Sequence, residues 1–251
     1  MSNYIILFLL SLLGIVTGFI GTNTGGSVLV TLPVMVWLGI SPQSAVATSR
    51  IASLGTMLAG LKQFHREGKV DYKLALRASI VGIIGAIIGA HVLLIISGKI
   101  LKKFLGVLIL VLLVVSVIKT KSDAIKNYTT QLSVPRKWFG YGLLTVVGAI
   151  GGLCGCQSKI TALVFQLVFG KTISESVGTR KVSGIAIAIT SLFVYRSHGI
   201  INWHFALALI FGTLIGSTVG SRYGLRKGDQ WMQRLFNIIA ATFGVILLFS
   251  F

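Results

Sequence analysis

Ten apolar segments fill most of this sequence and leave little room for a soluble fold. They lie at residues 4–20, 27–38, 44–61, 74–97, 101–118, 138–154, 158–169, 174–194, 203–221 and 231–250. Only 11% of the 251 residues are charged, whereas about a quarter are charged in an average soluble domain. The segments also lack the polar face that helices of a soluble bundle carry. The sequence therefore predicts an all-α integral membrane protein, multi-pass in the cell membrane.

Two of these segments, 27–38 and 158–169, are too short to cross a membrane. A helix rises about 1.5 Å per residue, and the hydrocarbon core is about 30 Å thick. Each short segment is followed by a turn, GISPQS or GKTISE, and then by a longer apolar segment. We therefore expect two re-entrant helical hairpins, which enter the membrane and return to the same side.

The basic residues indicate the orientation of the chain. Lys and Arg number 23 against 5 Asp and Glu, and they concentrate in the stretches 62–77, 119–137 and 221–234. If the hairpins make no net crossing, all three stretches lie on one side, which the positive-inside rule assigns to the cytoplasm. Both termini are then outside. The net charge of +18 is explained by this arrangement, and no exposed basic and aromatic surface indicates nucleic-acid binding.

The chain contains an internal repeat. At an offset of 131 residues, GISPQSAVATSRIAS (39–53) aligns with GKTISESVGTRKVSG (170–184), and further glycines coincide. Chance alignment of glycine-rich helices is the alternative explanation. Each half has an odd number of crossings, so the second half enters the membrane upside down. We expect two inverted-topology repeats, each with a re-entrant hairpin and three spanning helices, a plan typical of secondary transporters.

The predicted boundaries follow from this repeat. The first repeat covers residues 1–120, a cytoplasmic linker covers 121–137, and the second repeat covers 138–251. Together they form a single transmembrane domain, because no polar stretch is long enough to be a separate soluble unit.

Glycine-rich breaks precede both hairpins, GTNTGGS at 21–27 and GGLCGCQS at 151–158. So many glycines disfavour a continuous helix. A break followed by a helix start presents N–H groups and the positive end of a helix dipole, which suits an anion. Close packing of helices through glycine is the alternative interpretation.

Three cations lie within the second arms of the hairpins: Arg50 in one, and Arg180 with Lys181 in the other. A cation facing lipid is unfavourable, so these side chains either line a cavity for an anion or extend towards the membrane surface. Lys159 directly follows the second break and is a further candidate for the anion site. Glu175 either complements the helix dipole, pairs with Arg180 or Lys171, or couples transport to a proton.

The sequence resembles the sulfite exporter TauE/SafE family, also called the toluenesulfonate uptake permease family. The resemblance rests on GFIGTNTGGSVLVTLPVMVWLGISPQSAVATS and on its repeat GAIGGLCGCQSKITALVFQLVFGKTISESVGTRK, and it covers nearly the whole chain. It implies transport of small sulfur-containing anions such as sulfite, sulfoacetate and other organosulfonates, with the glycine-rich motifs lining the substrate site. The candidate substrate-binding residues are Thr22, Asn23, Thr24, Gly25, Gly26, Ser27, Thr48, Arg50, Gly152, Cys154, Gly155, Cys156, Gln157, Ser158, Lys159, Thr179, Arg180 and Lys181.

The expected function is that of a secondary transporter, not an enzyme, which exports such anions by alternating access. An anion channel is one alternative, and a thiol-dependent sulfur-transfer protein using Cys154 and Cys156 is another. The two cysteines match no zinc pattern, and we expect no cofactor or metal. The expected partners are a small anionic substrate and the lipid bilayer, without nucleic acid; a homodimer is left open.

Overall fold

The computed structural model describes residues 3–101 and 134–232, together with 103, 104, 106, 107, 234, 235 and 238. Eight α-helices with defined bounds occur in these residues, and no β-strand occurs among them. The first half contains α1 (Asn3–Thr24), α2 (Ser27–Trp37), α3 (Pro42–Arg66) and α4 (Tyr72–Ile95). The second half contains α5 (Val134–Cys154), α6 (Gln157–Leu167), α7 (Ile173–Ser197) and α8 (Trp203–Lys227). The apolar segments predicted at 101–118 and 231–250 lie mostly outside the described residues.

Five of the described helices, α1, α4, α5, α7 and α8, are long and apolar enough to cross a membrane. Large apolar side chains project from their outer surfaces, among them Phe8, Ile80 and Phe211, which are 64%, 58% and 66% exposed. Exposed apolar side chains in such numbers are unfavourable in water and suit contact with lipid. The predicted all-α, multi-pass membrane protein is therefore confirmed.

The short and long arms of the two hairpins have different reach. The short arms α2 and α6 have 11 residues each and span about 16 Å. The long arms α3 and α7 have 25 residues each and span about 37 Å, enough to cross a hydrocarbon core. Only the short arms are thus confined by length to part of the membrane.

Local sequence signals explain where the long helices begin. Pro42 is the first residue of α3, and the Ser41 side chain accepts a hydrogen bond from the backbone N–H of Ser44. Asp71 and Asn202 cap α4 and α8 in the same way, by accepting from Leu74 and Phe205. These are the residue types that satisfy the first N–H groups of a helix. Short polar side chains and one proline thus mark where α3, α4 and α8 begin.

The helices of the two halves correspond one to one. The bounds of α2 and α6 differ by 130 residues, whereas those of α3 and α7 differ by 131. The extra residue therefore falls in the turn after the short arm, not inside the arm. Gly39 and Gly170, which both have positive φ, lie in these matched turns.

Helices of opposite halves pack closely against each other. Helix α1 packs along α8, and its counterpart α5 packs along α4. A Cβ at Gly216 would collide with the carbonyl of Ile15, and a Cβ at Gly85 would collide with that of Thr145. Only glycine allows the backbones to approach this closely, the arrangement found in small-residue helix interfaces of membrane proteins. Each half is therefore held mainly through its contacts with the other.

Matched hydrogen bonds tie each long arm to the other half. Thr179 in α7 accepts from the backbone N–H of Asp71, at 3.0 Å. At the equivalent place, Thr48 in α3 accepts from the backbone N–H of Asn202, also at 3.0 Å. The two threonines thus hold the starts of α4 and α8 to the long arms.

Many basic side chains gather at one end of the helix bundle, which we call the basic end. It contains the end of α3, the start of α4, the turn before α7 and the end of α8, and it includes Arg66, Lys69, Lys73, Lys171 and Arg226. Lys171 forms an ion pair of 2.7 Å with Asp71. Partial burial would raise the pKa of Asp71, but its hydrogen bond with Lys171 and backbone N–H groups hold that pKa below its usual 3.8. The Asp71 carboxylate is therefore charged at neutral pH.

Candidate functional site

The two helix breaks lie at the centre of the candidate site. Gly25 and Gly155 occupy them with φ of 79° and 80°, a conformation that residues with a Cβ adopt only with strain. The N-cap positions that follow, Gly26 and Cys156, make no side-chain cap hydrogen bond with α2 or α6. Each break therefore brings the carbonyl end of one helix beside the uncapped N–H end of the next.

Arg50 extends from the first half to the break of the second half. Its side chain is completely buried. One terminal nitrogen, Nη1, donates to Oε1 of Gln157 at 3.2 Å, and Nη2 donates to the carbonyl of Gly151. Gly151 lies in the last turn of α5, and its carbonyl also accepts from the backbone N–H of Gly155 at 3.0 Å. Arg50 thus binds the end of α5 and the start of α6 together.

Arg180 and Lys181 make the opposite connection, from the second half to the break of the first. Arg180 Nη2 donates to the carbonyls of Thr22 and Asn23, at 3.3 and 3.5 Å. Lys181 Nζ donates to the carbonyl and the hydroxyl of Thr22, at 2.9 and 2.8 Å. These carbonyls form the negative end of the α1 dipole, which cations stabilise. The cations of each half therefore hold the break of the other half.

None of the three cations extends to a membrane surface. Arg50, Arg180 and Lys181 are 0%, 4% and 1% exposed. The alternative that these side chains reach for the surface is wrong, because they turn inward between the halves. Helix carbonyls accept hydrogen bonds from these side chains and so stabilise their charge. These contacts were not predicted from the sequence.

A small cavity lies beside two of these cations, and we call it the central cavity. It has a volume of about 10 Å³, roughly the space one water molecule needs. Hydroxyl groups contribute much of its wall. Its lining residues are Gly21, Ser27, Val28, Ser53, Thr56, Met57, Ser158, Arg180 and Lys181. The cavity therefore combines two cations with hydroxyls and with the first residues of α2 and α6.

Several buried polar atoms around the breaks have no hydrogen-bond partner in the described part of the chain. Three of them are N–H donors: Arg50 Nε, Arg180 Nε and Nε2 of Gln157. Another is Asn23 Oδ1; Ser176 Oγ, near the start of α7 and away from the breaks, has no partner either. A buried donor without an acceptor costs about 1–3 kcal/mol, and more when it is charged. The local chemistry therefore favours a ligand that brings acceptor oxygens.

Other predicted site residues lie at the breaks without lining the central cavity. Asn23 Nδ2 donates to the carbonyl of Gly220 at 2.7 Å, and Thr24 donates to the carbonyl of Ile20 in its own helix at 3.0 Å. Cys154 donates to the carbonyl of Ile150 at 3.2 Å. Gly152 packs against the carbonyl of Ala86. These contacts serve the packing of the breaks.

The remaining predicted residues divide into two groups. Lys159 is 8% exposed and follows Ser158 in the first turn of α6. Thr48 and Thr179 lie farther along the long arms, where they bond the starts of α8 and α4. The structure thus brings Ser27, Ser158, Arg180 and Lys181 together around the central cavity, with Arg50 and Gln157 at the second break.

Glu175 lies in the first turn of α7 and takes part in a capping box. Its Oε2 accepts from the backbone N–H of Thr172 at 3.0 Å, and the Thr172 hydroxyl accepts from the backbone N–H of Glu175 at 3.2 Å. Its suggested partners bind elsewhere, since Lys171 pairs with Asp71 and Arg180 binds α1. The geometry accounts for Glu175 as a helix cap.

Helix α3 contributes a wall of the central cavity that was not predicted from the sequence. Ser53, Thr56 and Met57 line it, and Gly60 lies against Lys181 Nζ and the Thr22 hydroxyl. Ser53 and Met57 follow Arg50 by three and seven residues, the spacing of one helix face. A serine three residues after Arg50, on the same face of the helix, was the available signal. Tyr195, which donates to the Gly152 carbonyl, gave no comparable signal.

Comparison with known proteins settles the family. The model of the family described as "Sulfite exporter TauE/SafE" matches residues 10–247. The chain belongs to the TauE/SafE sulfite exporter family. The match covers both helix breaks and both hairpins, so the whole candidate site lies within the matched residues.

Curated relatives of this TauE/SafE chain are named as membrane transporters. The "Probable membrane transporter protein ORF9" of Sinorhizobium is 24% identical over 93% of this chain and 88% of its own length. YfcA of Escherichia coli K12, a probable membrane transporter protein, is 23% identical over 100% of this chain and 92% of its own length. YdhB of Bacillus subtilis, also named a probable membrane transporter protein, is 25% identical over 98% of this chain and 100% of its own length. No solved structure matches the chain. The protein is thus a multi-pass member of a membrane transporter family.

Proposed function

We propose that this protein is a secondary transporter that exports small sulfur-containing oxyanions, such as sulfite, sulfoacetate or other organosulfonates. One observation carries the proposal: Arg50, Gln157 and Arg180 hold buried N–H donors without acceptors at the two helix breaks. Donors in excess, together with the cation Lys181, select a ligand rich in acceptor oxygens and negative charge. The family description supports sulfite-like anions and the direction of export.

The surroundings of the central cavity favour a small, compact anion. The starts of α2 and α6 present backbone N–H groups that no side chain caps, and helix starts attract negative charge. The hydroxyls of Ser27 and Ser158 line the same cavity, as does that of Ser53, which donates to the carbonyl of Ser49 at 3.0 Å in this conformation. An oxyanion with three oxygens on one sulfur can accept from several of these groups at once. A larger organosulfonate would place its sulfonate group in the same position.

The size of the central cavity requires movement of the hairpins. About 10 Å³ admits roughly one water molecule, so an oxyanion enters only if the hairpins separate on one side. We propose alternating access, in which contacts across the breaks open towards one membrane face at a time. The matched hydrogen bonds of Thr48 and Thr179 lie at opposite ends of the helix bundle. In this cycle, each would break when the protein opens at its end.

The proposed architecture is a pair of inverted repeats. Two observations support a two-fold axis between the halves. The helices correspond one to one, and Arg50 binds the break of the second half just as Arg180 and Lys181 bind the break of the first. In this arrangement α2 and α6 are the re-entrant elements, reaching from a membrane face to the breaks, while α3 and α7 cross. Inverted repeats that meet at broken helices recur among secondary transporters.

Transport by inside-out membrane vesicles tests the proposal. We expect vesicles containing the wild-type protein to accumulate radiolabelled sulfite or sulfoacetate. Arg180→Gln removes a cation and a donor from the central cavity, so uptake should fall at least about tenfold, the loss typical of an interaction worth 1.4 kcal/mol. Ser53→Ala, which removes one hydroxyl, should raise the substrate concentration needed for half-maximal uptake.

The matched control is Lys62→Gln, which removes a cation from the exposed part of α3. It should transport like the wild type. Protein amount in the membrane and the unfolding temperature in detergent are measured for every variant. If Arg180→Gln and Ser53→Ala insert normally and both transport at the wild-type rate, the site assignment is wrong. Wild-type vesicles that accumulate none of the sulfur oxyanions offered would contradict the substrate class.

A further inference from the structure

A second cationic pocket lies at the basic end, outside the central cavity and independent of the proposed transport site. Its volume is about 190 Å³, and it opens between the start of α4, the start of α5 and the turn before α7. The side chains that determine its chemistry are Lys73, Arg77, Lys137, Lys171, Tyr141 and Phe169.

The charge of this pocket is not balanced by the described part of the chain. Lys171 is neutralised by Asp71 at 2.7 Å. No ion pair within the described residues involves Lys73, Arg77 or Lys137. Three positive charges around one cavity repel one another. An anionic group bound between them would remove that repulsion.

The position of Lys73 strengthens this argument. It is the second residue of α4, whose N-terminus begins at Tyr72. A cation in the first turn opposes the helix dipole and destabilises the helix. Lys73 therefore does not stabilise α4. An anion in the pocket would interact favourably with both the lysine and the positive end of the dipole.

The surface next to the pocket is apolar and suits lipid. Leu76 and Ile80 of α4 are 64% and 58% exposed, and Trp138 and Phe139 of α5 are 72% and 64% exposed. Tyr141 and Phe169, whose ring centroids are 5.5 Å apart, form an aromatic wall of the pocket. Aromatic residues beside basic ones are typical of the membrane interface. The ligand that fits has a charged head and an apolar body.

We propose that this pocket binds the phosphate headgroup of an anionic phospholipid. Basic pockets between membrane helices on the cytoplasmic side recognise such headgroups. The acyl chains would lie along the exposed apolar side chains of α4 and α5. Because Phe169 and Lys171 belong to the turn of the second hairpin, the bound lipid also contacts the element that moves in the proposed transport cycle.

Native mass spectrometry of the purified full-length protein tests this site. The probes are phosphatidylglycerol and phosphatidylcholine with the same acyl chains, and inorganic phosphate alone. We expect the wild type to retain one phosphatidylglycerol more tightly than phosphatidylcholine. Arg77→Gln with Lys137→Gln should weaken phosphatidylglycerol binding roughly 10- to 30-fold and leave phosphatidylcholine binding unchanged.

The control removes two exposed cations from the opposite end of the bundle, Lys99→Gln with Arg196→Gln, and should bind lipid like the wild type. Lys73→Gln provides a second variant that does not threaten the fold, because it removes a cation from a helix start; it should weaken binding about fivefold. Unchanged phosphatidylglycerol binding in the Lys73 and Arg77/Lys137 variants overturns the proposal. So does displacement of the lipid by millimolar inorganic phosphate, which would identify a site for soluble phosphate.

Discussion

At the scale of single residues, the buried cations have a structural as well as a chemical consequence. Arg50, Arg180 and Lys181 donate to carbonyls at the ends of α5 and α1, where the helix dipole is negative. A buried charge without such partners would be strongly destabilising. The carbonyls fix each cation in place, and in the proposed function the donors that stay unsatisfied would bind the substrate.

The glycines of the breaks give a residue-scale prediction. Alanine at Gly25 has to adopt φ near 79°, which costs about 1–2 kcal/mol. Its Cβ would also lie 2.9 Å from Ser158 Cβ and 3.0 Å from Arg180 Nη1. Gly155→Ala is subject to the same backbone strain, but its Cβ would lie 3.5 Å from the nearest atoms, Arg50 Nη1 and Val28 Cγ2. We expect both variants to lower the unfolding temperature in detergent, Gly25→Ala by more.

Gly142→Ala is the matched control for these variants. Gly142 lies inside α5, and a Cβ there would meet no atom within 4 Å. Alanine stabilises a helix by up to about 1 kcal/mol relative to glycine, so the unfolding temperature should stay constant or rise. A Gly25→Ala variant as stable as Gly142→Ala would show that the break does not have the described conformation.

The sequence identified some of these residues and not others for a physical reason. A charged residue in an apolar segment is rare and unfavourable, so Arg50, Arg180 and Lys181 were recognisable on chemistry alone. Their partners Gly151, Thr22 and Asn23 lie more than 100 residues away. Such partners depend on how the halves pack, and local sequence patterns do not contain that information.

At the scale of helices, the capping box of α7 assigns a testable role to Glu175. Glutamine keeps an acceptor at the position of Oε2, so Glu175→Gln should change stability by a few tenths of a kcal/mol. Thr172→Ala removes the cap hydroxyl and should cost about 1 kcal/mol. Transport by Glu175→Gln should retain the wild-type dependence on the proton gradient, measured in vesicles with and without an uncoupler.

A different result would identify Glu175 as the proton-coupling residue. In that case the Glu175→Gln variant would be as stable as the wild type and would still transport the anion down its concentration gradient. Its transport rate would, however, be the same with and without the uncoupler. Thr172→Ala is the control, because it perturbs the same cap without removing an ionisable group.

The presence of the hairpin helices was predictable from the sequence, but the full length of their long arms was not. Apolar length and the turns at Gly39 and Gly170 indicated two short and two long arms, and the structure has them. The polar ends of the long arms, such as Gln63 to Arg66 in α3 and Arg196 in α7, lie beyond the apolar segments. Because a hydropathy window stops where polar residues begin, it shortened helices that are long enough to cross.

At the scale of the whole molecule, the proposed inverted topology predicts opposite sides for equivalent loops. Glu67 and His198 are exposed and occupy matched positions at an offset of 131 residues. We expect Glu67→Cys to react with a membrane-impermeant thiol reagent from the cytoplasmic side only, and His198→Cys from the outside only. Both reporters are placed in a chain whose native cysteines are replaced by serine, and a permeant reagent should label both.

Reaction of both reporters from the same side would contradict the inverted arrangement. The sequence predicted the correspondence of the halves because turns and glycines recur at one offset. It did not predict that α1 packs along α8 and α5 along α4. That pairing depends on which glycine-containing helix surfaces contact each other, as Gly216 of α8 contacts Ile15 of α1. Because several helices in this chain carry glycines suited to close packing, the sequence alone does not select the partners.

The most direct test of the central claim is a long-wavelength anomalous diffraction map of crystals soaked in sulfite or sulfoacetate. The sulfur atoms of Met57, Cys154 and Cys156 provide reference peaks near the site. The account predicts one additional sulfur peak at the central cavity, bounded by Ser27, Ser158 and Arg180, and its loss in Arg180→Gln. Additional sulfur peaks found only at the protein surface, with none between the two breaks, would contradict it.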